Sequence, residues 1–511
     1  MRTPRPPGKT IKKTIPMNLK RSLTSLCLLL AGLAATAQER PRLVVGIVVD
    51  QMRWDYLYRY YGLYGEGGFK RLMNEGFNCE NTMINYIPAI TAVGHTSVYT
   101  GSVPSIHGIV GNHFYVDGKY SYCTTDTTMR TVGSNTKAGQ MSPRNMLATT
   151  IGDELKVATG FRSKVVGVAL KDRAAILPAG HSADAAYWID DKACRFVSST
   201  YYMQELPAWA QRFNSTIGNV TKEDIWYTSL GNRLTVGMAQ AAVEGERLGM
   251  GGGTDMLAVS FSCTDKLGHR LGTHHDKIRD IYVDLDRRLA GFMSFLDGKV
   301  GKGQYLLFLT ADHGAANGIE MLRQHKIPAG GFLLTTETNQ INSHLSGRFS
   351  TQEKLVKLIM DYKVCIDREA AVRAGAAYKD VKEAIMEFYG RRKNIAYVID
   401  LDNVSAATVP ALIREKVING HNRLRGGDVQ LIVQPAHYEA WQDVIDGGTT
   451  HGTWHPYDTH IPFLITGWHV PHGSTGAPVS VTDIAATVCA LIHVQMPNGC
   501  IGTPVTRITD R

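Results

Sequence analysis

The chain has 511 residues, of which 44% are hydrophobic and 20% charged, as is typical of a globular protein large enough for an α/β domain with insertions. The formal net charge is +9, but residues 1–37 contain seven of the 55 basic residues and no acidic residue, so the rest contains 48 basic and 46 acidic residues. The basic balance therefore gives no support for nucleic-acid binding.

The N-terminal segment has the three parts of an export signal. A basic stretch precedes the apolar run 23–35, and an Ala-Thr-Ala motif ends at Ala37. The apolar run is too short to span a membrane comfortably, so we expect a signal peptide that is cleaved after Ala37 and no membrane anchor. Met17 offers an alternative start. The sequence therefore predicts a periplasmic or secreted protein whose mature chain is 38–511.

Apolar runs rich in β-branched residues alternate along the chain with helical patterns, the clearest of which is 278–289. Continuous apolar runs indicate strands buried on both faces of a parallel sheet. The alternation predicts an α/β fold, with an open, doubly wound, mostly parallel sheet and helices on both faces. The predicted strands are residues 43–49, 165–170, 256–261, 305–309, 429–433 and 461–465.

Two stretches interrupt this alternation. The interval of about 319–440 is richer in charged helical patterns, namely 352–362 and 380–391, and we expect it to be an inserted subdomain. A second, smaller insertion is predicted at about 185–224. Both would be parts of one catalytic domain formed by residues 38–511.

Thr91 is predicted to lie at the N-terminus of a helix, because an irregular segment ends just before it and the stretch that it begins leads into Val98-Tyr99-Thr100. Free backbone N–H groups and the positive end of the helix dipole at this position would attract an anion such as phosphate. An ordinary threonine N-cap is the alternative interpretation.

Three of the predicted strands end in an acid, namely Asp50, Asp265 and Asp312. Ligands of open α/β sheets bind at the carboxyl ends of the strands, so these carboxylates can converge although they are distant in sequence. Each acid alone could instead be the N-cap of the next helix. His269 follows Asp265 by four residues, on the same face of a helical turn, and His313 directly follows Asp312.

A further histidine, His451, precedes the last predicted strand, where a hydrogen-bonded loop histidine is the alternative. Carboxylates with neutral imidazoles are ligands that suit zinc, and six such groups with the Thr91 hydroxyl suffice for two four-coordinate sites. Two divalent ions about 4 Å apart stabilise both the attacking and the leaving oxygen in phosphoryl transfer.

This ordered set of residues resembles the alkaline phosphatase superfamily, from about residue 42 to 505. Within it, four motifs resemble those of the periplasmic, phosphate-irrepressible monoesterases that use a threonine nucleophile. These motifs are residues 49–55, 111–113, 171–173 and 497–500. One departure is Val93, where these enzymes commonly have proline before Gly-His.

The resemblance implies two Zn²⁺ ions and a set of residues for each task. One zinc would be bound by Asp265, His269 and His451. The other would be bound by Asp50, Asp312, His313 and the Thr91 oxygen. The non-bridging oxygens of the phosphoryl group would be held by Asn112, Lys171 and Arg173.

The expected reaction is attack of Thr91 on phosphorus to give a phosphothreonine that water then hydrolyses. Lys171 and Arg173, which would share one face of a strand, favour a dianionic monoester over a monoanionic diester. We therefore predict a monomeric alkaline phosphatase that acts on small phosphate monoesters. The alternatives are a nucleotide phosphodiesterase or pyrophosphatase of the same superfamily and a non-catalytic surface binding protein. A sulfatase is disfavoured because the formylglycine context is missing.

Overall fold

The computed structural model describes residues 39–116 and 118–510, together with positions 1, 3, 4 and 8. The predicted signal peptide therefore lies outside the described residues, apart from those four positions. The chain from Pro41 to Arg511 forms one compact unit. Among the described residues, no helix has the length and apolar character that crossing a membrane requires.

The unit is built on a ten-stranded mixed sheet. From one edge to the other, its strands are Gly473–Thr475, Phe77–Cys79, Phe463–Gly467, Tyr305–Thr310, Leu43–Val49, Asp255–Phe261, Val165–Ala169, Ala185–Asp190, Arg195–Ser199 and Thr131–Val132. The five strands from Tyr305–Thr310 to Ala185–Asp190 are parallel to one another. This centre confirms the predicted doubly wound α/β fold.

The central strand Leu43–Val49 shows why the sheet lies in the core. All seven of its residues are buried, and it pairs on one side with Asp255–Phe261 and on the other with Tyr305–Thr310. A strand buried on both faces must be apolar at every position, which is the pattern seen in the sequence. Because these strands are parallel, their carboxyl ends meet at one edge of the sheet.

Helices cover both faces of this sheet. The longest, Asp276–Leu296, confirms the predicted helix at 278–289, and it buries Ile278, Ile281, Leu285 and Leu289 at helical spacing. The other helices of at least six residues around the sheet are Phe69–Glu75, Thr91–Thr100, Ile151–Ala158, Asp172–Ala179, Ala208–Ser215, Lys222–Tyr227, Leu230–Glu246, Cys263–Leu271, Ile319–Gln324 and Asp483–Leu491.

A second, four-stranded antiparallel sheet has its own apolar core. In spatial order its strands are Val356–Met360, Lys363–Ile366, Val429–Val433 and Ile395–Asp400. The helices of this region are Leu334–Phe349, Arg368–Arg373, Tyr378–Gly390 and Ala411–Gly420. The helix predicted at 380–391 is confirmed, and the predicted strand 429–433 belongs to this sheet, not to the parallel one.

The helix predicted at 352–362 is wrong, because Val356–Met360 is a strand that pairs with Lys363–Ile366. Asp361 and Tyr362 join the two strands with positive φ values of 47° and 63°. Two consecutive left-handed residues make a tight hairpin turn, which normally contains asparagine or glycine. The pair Asp-Tyr gave no such signal in the sequence.

Two other expectations differ in detail. The stretch 185–224, predicted to be an insertion, begins with Ala185–Asp190 and Arg195–Ser199, which are strands of the main sheet. The predicted strand 461–465 corresponds mainly to Phe463–Gly467, which runs antiparallel to its neighbour Tyr305–Thr310. The proposed domain boundaries stay a prediction.

Candidate active site

Three carboxylates and three imidazoles converge at the carboxyl edge of the parallel strands. Asp50, Asp265 and Asp312 follow three adjacent strands of the sheet, and they are only 0%, 2% and 0% exposed. Their convergence confirms the geometry that was expected from strands ending at one edge.

The first cluster consists of Asp265, His269 and His451, whose ligand atoms lie within 4.8 Å of one another. Asp265 and His269 lie one turn apart on the helix Cys263–Leu271, and His269 Nε2 is 3.0 Å from Asp265 Oδ1. His451 Nε2 approaches the same oxygen to 3.6 Å. The cluster therefore brings together three residues from two distant parts of the chain, as predicted.

The second cluster surrounds His313 Nε2. This nitrogen is 3.5 Å from Asp50 Oδ1, 3.4 Å from Asp312 Oδ2 and 3.5 Å from Thr91 Oγ1. Four ligands placed tetrahedrally at about 2.0–2.1 Å from a zinc ion stand about 3.3–3.4 Å apart. His313 Nε2 could therefore share a small cation with each of these three oxygens, and the ligand atoms of Asp50, Asp265 and His313 also lie within 4.8 Å of one another.

Two carboxylate oxygens of this cluster have no hydrogen-bond partner. Asp50 Oδ1 and Asp312 Oδ2 are buried, and neither has a hydrogen bond of good geometry from any described residue, although His95 Nδ1, which donates to Thr91 O, lies 3.2 Å from Asp312 Oδ2. Burial, followed by repulsion from Asp265 and Asp312, also raises the pKa of Asp50 well above its usual value. Buried carboxylate oxygens without partners are costly unless a cation compensates them, so their chemistry fits a metal site.

The three imidazoles are oriented with one nitrogen towards the clusters. Because a carbonyl oxygen can only accept, each Nδ1 that bonds to one must carry the proton, which leaves Nε2 with its lone pair. The bonds run from His269 to Thr449 O (2.9 Å), from His313 to Gly314 O (3.0 Å) and from His451 to Ala89 O (2.9 Å). Burial lowers the pKa of His313 and His451, so both rings stay neutral and can bind metal.

Thr91 is the first residue of the helix Thr91–Thr100, and Ile90 is its N-cap. The expected helix start is confirmed, and no side-chain capping bond is present, so the Thr91 hydroxyl is not used as a cap. The helix packs very close to the second cluster, since a Cβ added at Gly94 would lie 2.2 Å from Asp312 O. Glycine at this position allows Thr91 to reach the cluster.

Lys171 is not on a strand, because the strand Val165–Ala169 ends two residues earlier. It is the N-cap of the helix Asp172–Ala179, and Arg173 lies in its first turn, so the expected alternation on a strand is wrong. The Lys171 ammonium is 2.6 Å from both Asp50 Oδ2 and Asp265 Oδ2. Its positive charge therefore lies between the two clusters.

Comparison with known proteins agrees with this geometry. A family model described as "Type I phosphodiesterase / nucleotide pyrophosphatase" matches residues 44–458. The alkaline phosphatase PafA of Elizabethkingia meningoseptica is 41% identical over 535 residues, 94% of this chain and 97% of that protein. The alkaline phosphatase PhoV of Synechococcus elongatus is 42% identical over 517 residues, covering 91% and 92%. The chain belongs to the alkaline phosphatase family.

Solved structures of this alkaline phosphatase family have the same fold. Wild-type PafA matches with a TM-score of 0.89 and 42% identity, over 93% of this chain and all of that one. A PafA variant in which one threonine, one asparagine, one lysine and one arginine are replaced matches with a TM-score of 0.88 and 40% identity. The likeness therefore extends over nearly the whole chain.

The side chains of Asn112 and Arg173, expected in an alkaline phosphatase to hold the phosphoryl oxygens, each form a hydrogen bond that leaves other N–H groups available. Asn112 Oδ1 accepts a hydrogen bond from Ala92 N (3.1 Å) in the Thr91 helix, which leaves its amide NH₂ as a donor. Arg173 Nη1 donates to Tyr122 Oη (3.0 Å). These contacts fix each group on one side and leave N–H donors for a ligand.

Sequence reasoning missed two residues that orient this alkaline phosphatase site. Gln51 donates to Asp265 Oδ1 from Nε2 (2.9 Å) and to Asp312 Oδ1 from its backbone N–H (3.1 Å). Tyr122 donates to Asp172 Oδ1 (2.7 Å) and accepts from the neighbouring arginine. Both contacts join residues far apart in sequence, so no local pattern could have indicated them.

The other histidines near the site have structural partners. His95 Nδ1 donates to Thr91 O (2.9 Å). His455 Nε2 bonds to Val433 O (3.3 Å), and His460 Nε2 bonds to Glu80 O (2.8 Å). Neither His455 nor His460 contacts a predicted ligand in these bonds, so the structure gives them no role in the site.

Proposed function

We propose that this protein is a zinc-dependent alkaline phosphatase that hydrolyses small phosphate monoesters through a phosphothreonine at Thr91. The observation that carries the proposal is the second cluster. In it, His313 Nε2 lies 3.4–3.5 Å from one oxygen each of Asp50, Asp312 and Thr91, which is close to the separation of two ligands on one small cation. A hydroxyl in such a ligand set is placed to be activated as a nucleophile.

Two divalent ions would supply the charge that this chemistry needs, because they lower the pKa of a bound hydroxyl and stabilise the departing oxygen. Carboxylate and imidazole donors at these spacings favour zinc. Asp50, Asp312, His313 and Thr91 would hold one ion. Asp265, His269 and His451 would hold the other.

The residues of the chain perform the remaining steps. Thr91 Oγ1 attacks phosphorus in line, the ester oxygen leaves, and a phosphothreonine forms. Water then attacks phosphorus, breaks the bond to Oγ1 and releases phosphate. Asn112, Lys171 and Arg173 donate to the equatorial oxygens, on which charge accumulates in a loose transition state.

The preference for a monoester follows from charge. A monoester is a dianion and a diester is a monoanion, so the two fixed cations Lys171 and Arg173 stabilise the monoester more strongly. The four residue types replaced together in the PafA variant are those of Thr91, Asn112, Lys171 and Arg173 here. The second candidate, a nucleotide phosphodiesterase, is favoured by the description of the matching family model.

Two assays test the proposal. Wild-type protein should hydrolyse an aryl phosphate with a higher kcat/KM than its methyl diester, and a preference for the diester would instead support the second candidate. The Thr91→Ala variant should lose monoesterase activity but keep about two zinc ions per chain. Thr96→Ala is the matched control, since among the residues that the structure describes the Thr96 hydroxyl bonds only back to Ala92 O in the same helix (2.7 Å). Unchanged hydrolysis in Thr91→Ala would refute the assignment.

Export and a monomeric state are also part of the proposal. N-terminal sequencing of exported protein should start at Gln38, directly after the predicted cleavage site at Ala37. Light scattering should give the mass of a single mature chain. An intact N-terminal segment or a larger mass would refute the corresponding statement without affecting the proposed reaction.

A further inference from the structure

A large cavity adjoins the proposed phosphoryl site. Its volume is about 830 Å³, which is within the range of small-molecule sites. Lys171 and Arg173 lie in its wall, so a phosphoryl group held by these two residues would be at one end of the cavity. The rest of the wall is made by other parts of the chain, including Trp188 and Trp226.

Cationic side chains outnumber carboxylates in this wall. Besides Lys171 and Arg173, four lysines line the cavity, against three aspartates. The lysines are Lys137, Lys192, Lys222 and Lys266, and the aspartates are Asp172, Asp190 and Asp191. An excess of positive charge around a concave surface attracts anions.

The three aspartates are occupied by other partners. Asp172 accepts hydrogen bonds from two side-chain hydroxyls, and Asp190 accepts from Ser134 and Thr136. Asp191 is paired with Lys222 at 2.6 Å. The three aspartates are therefore held by fixed neighbours, and their negative charges still leave the six cationic side chains of the wall in excess.

Three of the lysines have no such partner. Among the described residues, no carboxylate forms an ion pair with Lys137, Lys192 or Lys266. Lys266 is half-buried, and its ammonium lies 5.7 Å from the centroid of the Trp226 ring. A half-buried ammonium without a counter-ion, facing a cavity beside the phosphoryl site, is placed to bind an anionic group.

We propose that this cavity receives the alcohol part of the substrate and favours alcohols that carry a second anionic group, such as a carboxylate or a second phosphate. Lys266 and Lys192 would contact that group. This inference rests on the proposed phosphomonoesterase function and gives it a substrate class, namely polyanionic monoesters.

Two substrates that differ in a single group test the inference. Glycerol 3-phosphate and 3-phosphoglycerate are both alkyl monoesters, but the second has a carboxylate where the first has a hydroxymethyl group. Wild-type protein should have the higher kcat/KM for 3-phosphoglycerate, and raising the salt concentration should reduce this preference because screening weakens the attraction. Equal values for the two substrates, or a preference that salt does not change, would overturn the inference.

Variants locate the effect in the cavity. Lys266→Met should lower the ratio of the two kcat/KM values about tenfold, which is the effect of losing one charged hydrogen bond. Lys192→Met should also lower this ratio. Unlike Lys266, Lys192 is not adjacent in sequence to a predicted metal ligand. The matched control is Lys379→Met, an exposed lysine of the second sheet region paired with Glu383, which should leave the ratio unchanged.

The ratio of the two kcat/KM values does not depend on the fraction of active protein in a preparation. Both substrates are assayed on the same preparation, so a loss of folded or metal-loaded protein cancels. Turnover of glycerol 3-phosphate with an unchanged ratio in Lys266→Met and Lys192→Met would refute this inference and leave the proposed function intact. The absence of turnover of either substrate by wild-type protein would refute the proposed function itself.

Discussion

The carboxyl edge of the main sheet and the second sheet both contain several carboxylates, but the partners of these carboxylates differ between the two regions. In the second sheet, Lys382 pairs with Asp400 at 2.7 Å and with Asp402 at 2.8 Å, and Asp428 pairs with Arg368 at 2.9 Å. These groups lie near solvent and have partners from the same region.

At the edge of the main sheet, the carboxylates are fully buried and incompletely satisfied. Asp50 and Asp312 each have one oxygen without a hydrogen-bond partner among the described residues. Lys171 pairs with both Asp50 and Asp265 at 2.6 Å, so three buried carboxylates have one lysine between them, and buried charge that is not fully compensated destabilises a fold. The paired charges of the second sheet therefore stabilise structure, whereas those at the main sheet edge have the arrangement of candidate metal ligands.

The largest expected effect comes from removing one carboxylate in each region. Loss of a residue that supports a metal ligand costs about 10–100-fold in activity. Asp265→Ala removes a predicted ligand itself, so it should reduce kcat/KM by more than this and should lower the zinc content. Asp400→Ala should leave kcat/KM unchanged and lower the free energy of unfolding by about 1 kcal/mol, because its ion pair is partly exposed. Steady-state kinetics, elemental analysis and urea unfolding measure the three quantities. Equal loss of activity in both variants would remove the distinction between the regions.

The second prediction concerns removal of the ions. A chelator should abolish monoesterase activity and lower the Tm, because ligand binding at about 1,000 times Kd stabilises a fold by about 4 kcal/mol. The chelator should lower the Tm of His451→Ala less than that of wild-type protein, because this variant lacks one ligand of the first cluster. Calorimetry with and without chelator measures both shifts. An unchanged Tm and full activity in wild-type protein after chelation would contradict the proposed metal sites.

The third prediction concerns the close approach of the Thr91 helix. A Cβ at position 94 would meet Asp312 O at 2.2 Å, so Gly94→Ala must displace the helix. A displacement of about 1 Å can cost about a hundredfold in kcat. Gly291→Ala is the matched control, because a Cβ there meets nothing within 4 Å and the residue is exposed on a helix. This control should keep its activity and gain up to about 1 kcal/mol of stability. Full activity in Gly94→Ala would show that the contact is not needed.

The smallest expected effect concerns Asp458, a buried acid near the site but outside both clusters. Burial raises its pKa to about 7. In the unfolded chain this acid ionises above about pH 4, whereas in the folded chain it stays neutral until about pH 7. The free energy of unfolding should therefore fall between these two pH values in wild-type protein, relative to Asp458→Asn.

Urea unfolding of both proteins at pH 4.5 and pH 7.5 measures this difference. The stability of wild-type protein minus that of Asp458→Asn should be lower at the higher pH. A difference that does not change with pH would show that Asp458 is ionised in the folded protein at the lower pH.

The sequence predicted those features that local patterns determine. The parallel strands are continuous apolar runs, and an acid directly after such a run must lie at the sheet edge. The helix start at Thr91 and the one-turn spacing of Asp265 and His269 are also local properties. For these reasons the centre of the fold and the convergence of the predicted ligands were accessible without the structure.

Features that depend on tertiary contacts were not accessible. The turn at Asp361 and Tyr362 lacks the usual turn residues, so the sequence pattern predicts a helix where the strand Val356–Met360 lies. The strand Val165–Ala169 ends earlier than its apolar run predicts. Lys171 is therefore the N-cap of the following helix and not a strand residue. The hydrogen bonds of Gln51 join residues that are more than 200 positions apart.

The proposed reaction depends on two metal ions at the main sheet edge, one of them beside the Thr91 hydroxyl. The most direct test is a crystal structure of the protein purified without added metal, with anomalous scattering data on both sides of the zinc absorption edge. We expect two anomalous peaks about 4 Å apart. One should lie near His313 Nε2 and Thr91 Oγ1, and the other between His269 and His451. The absence of zinc from these positions in a fully active preparation would contradict the account.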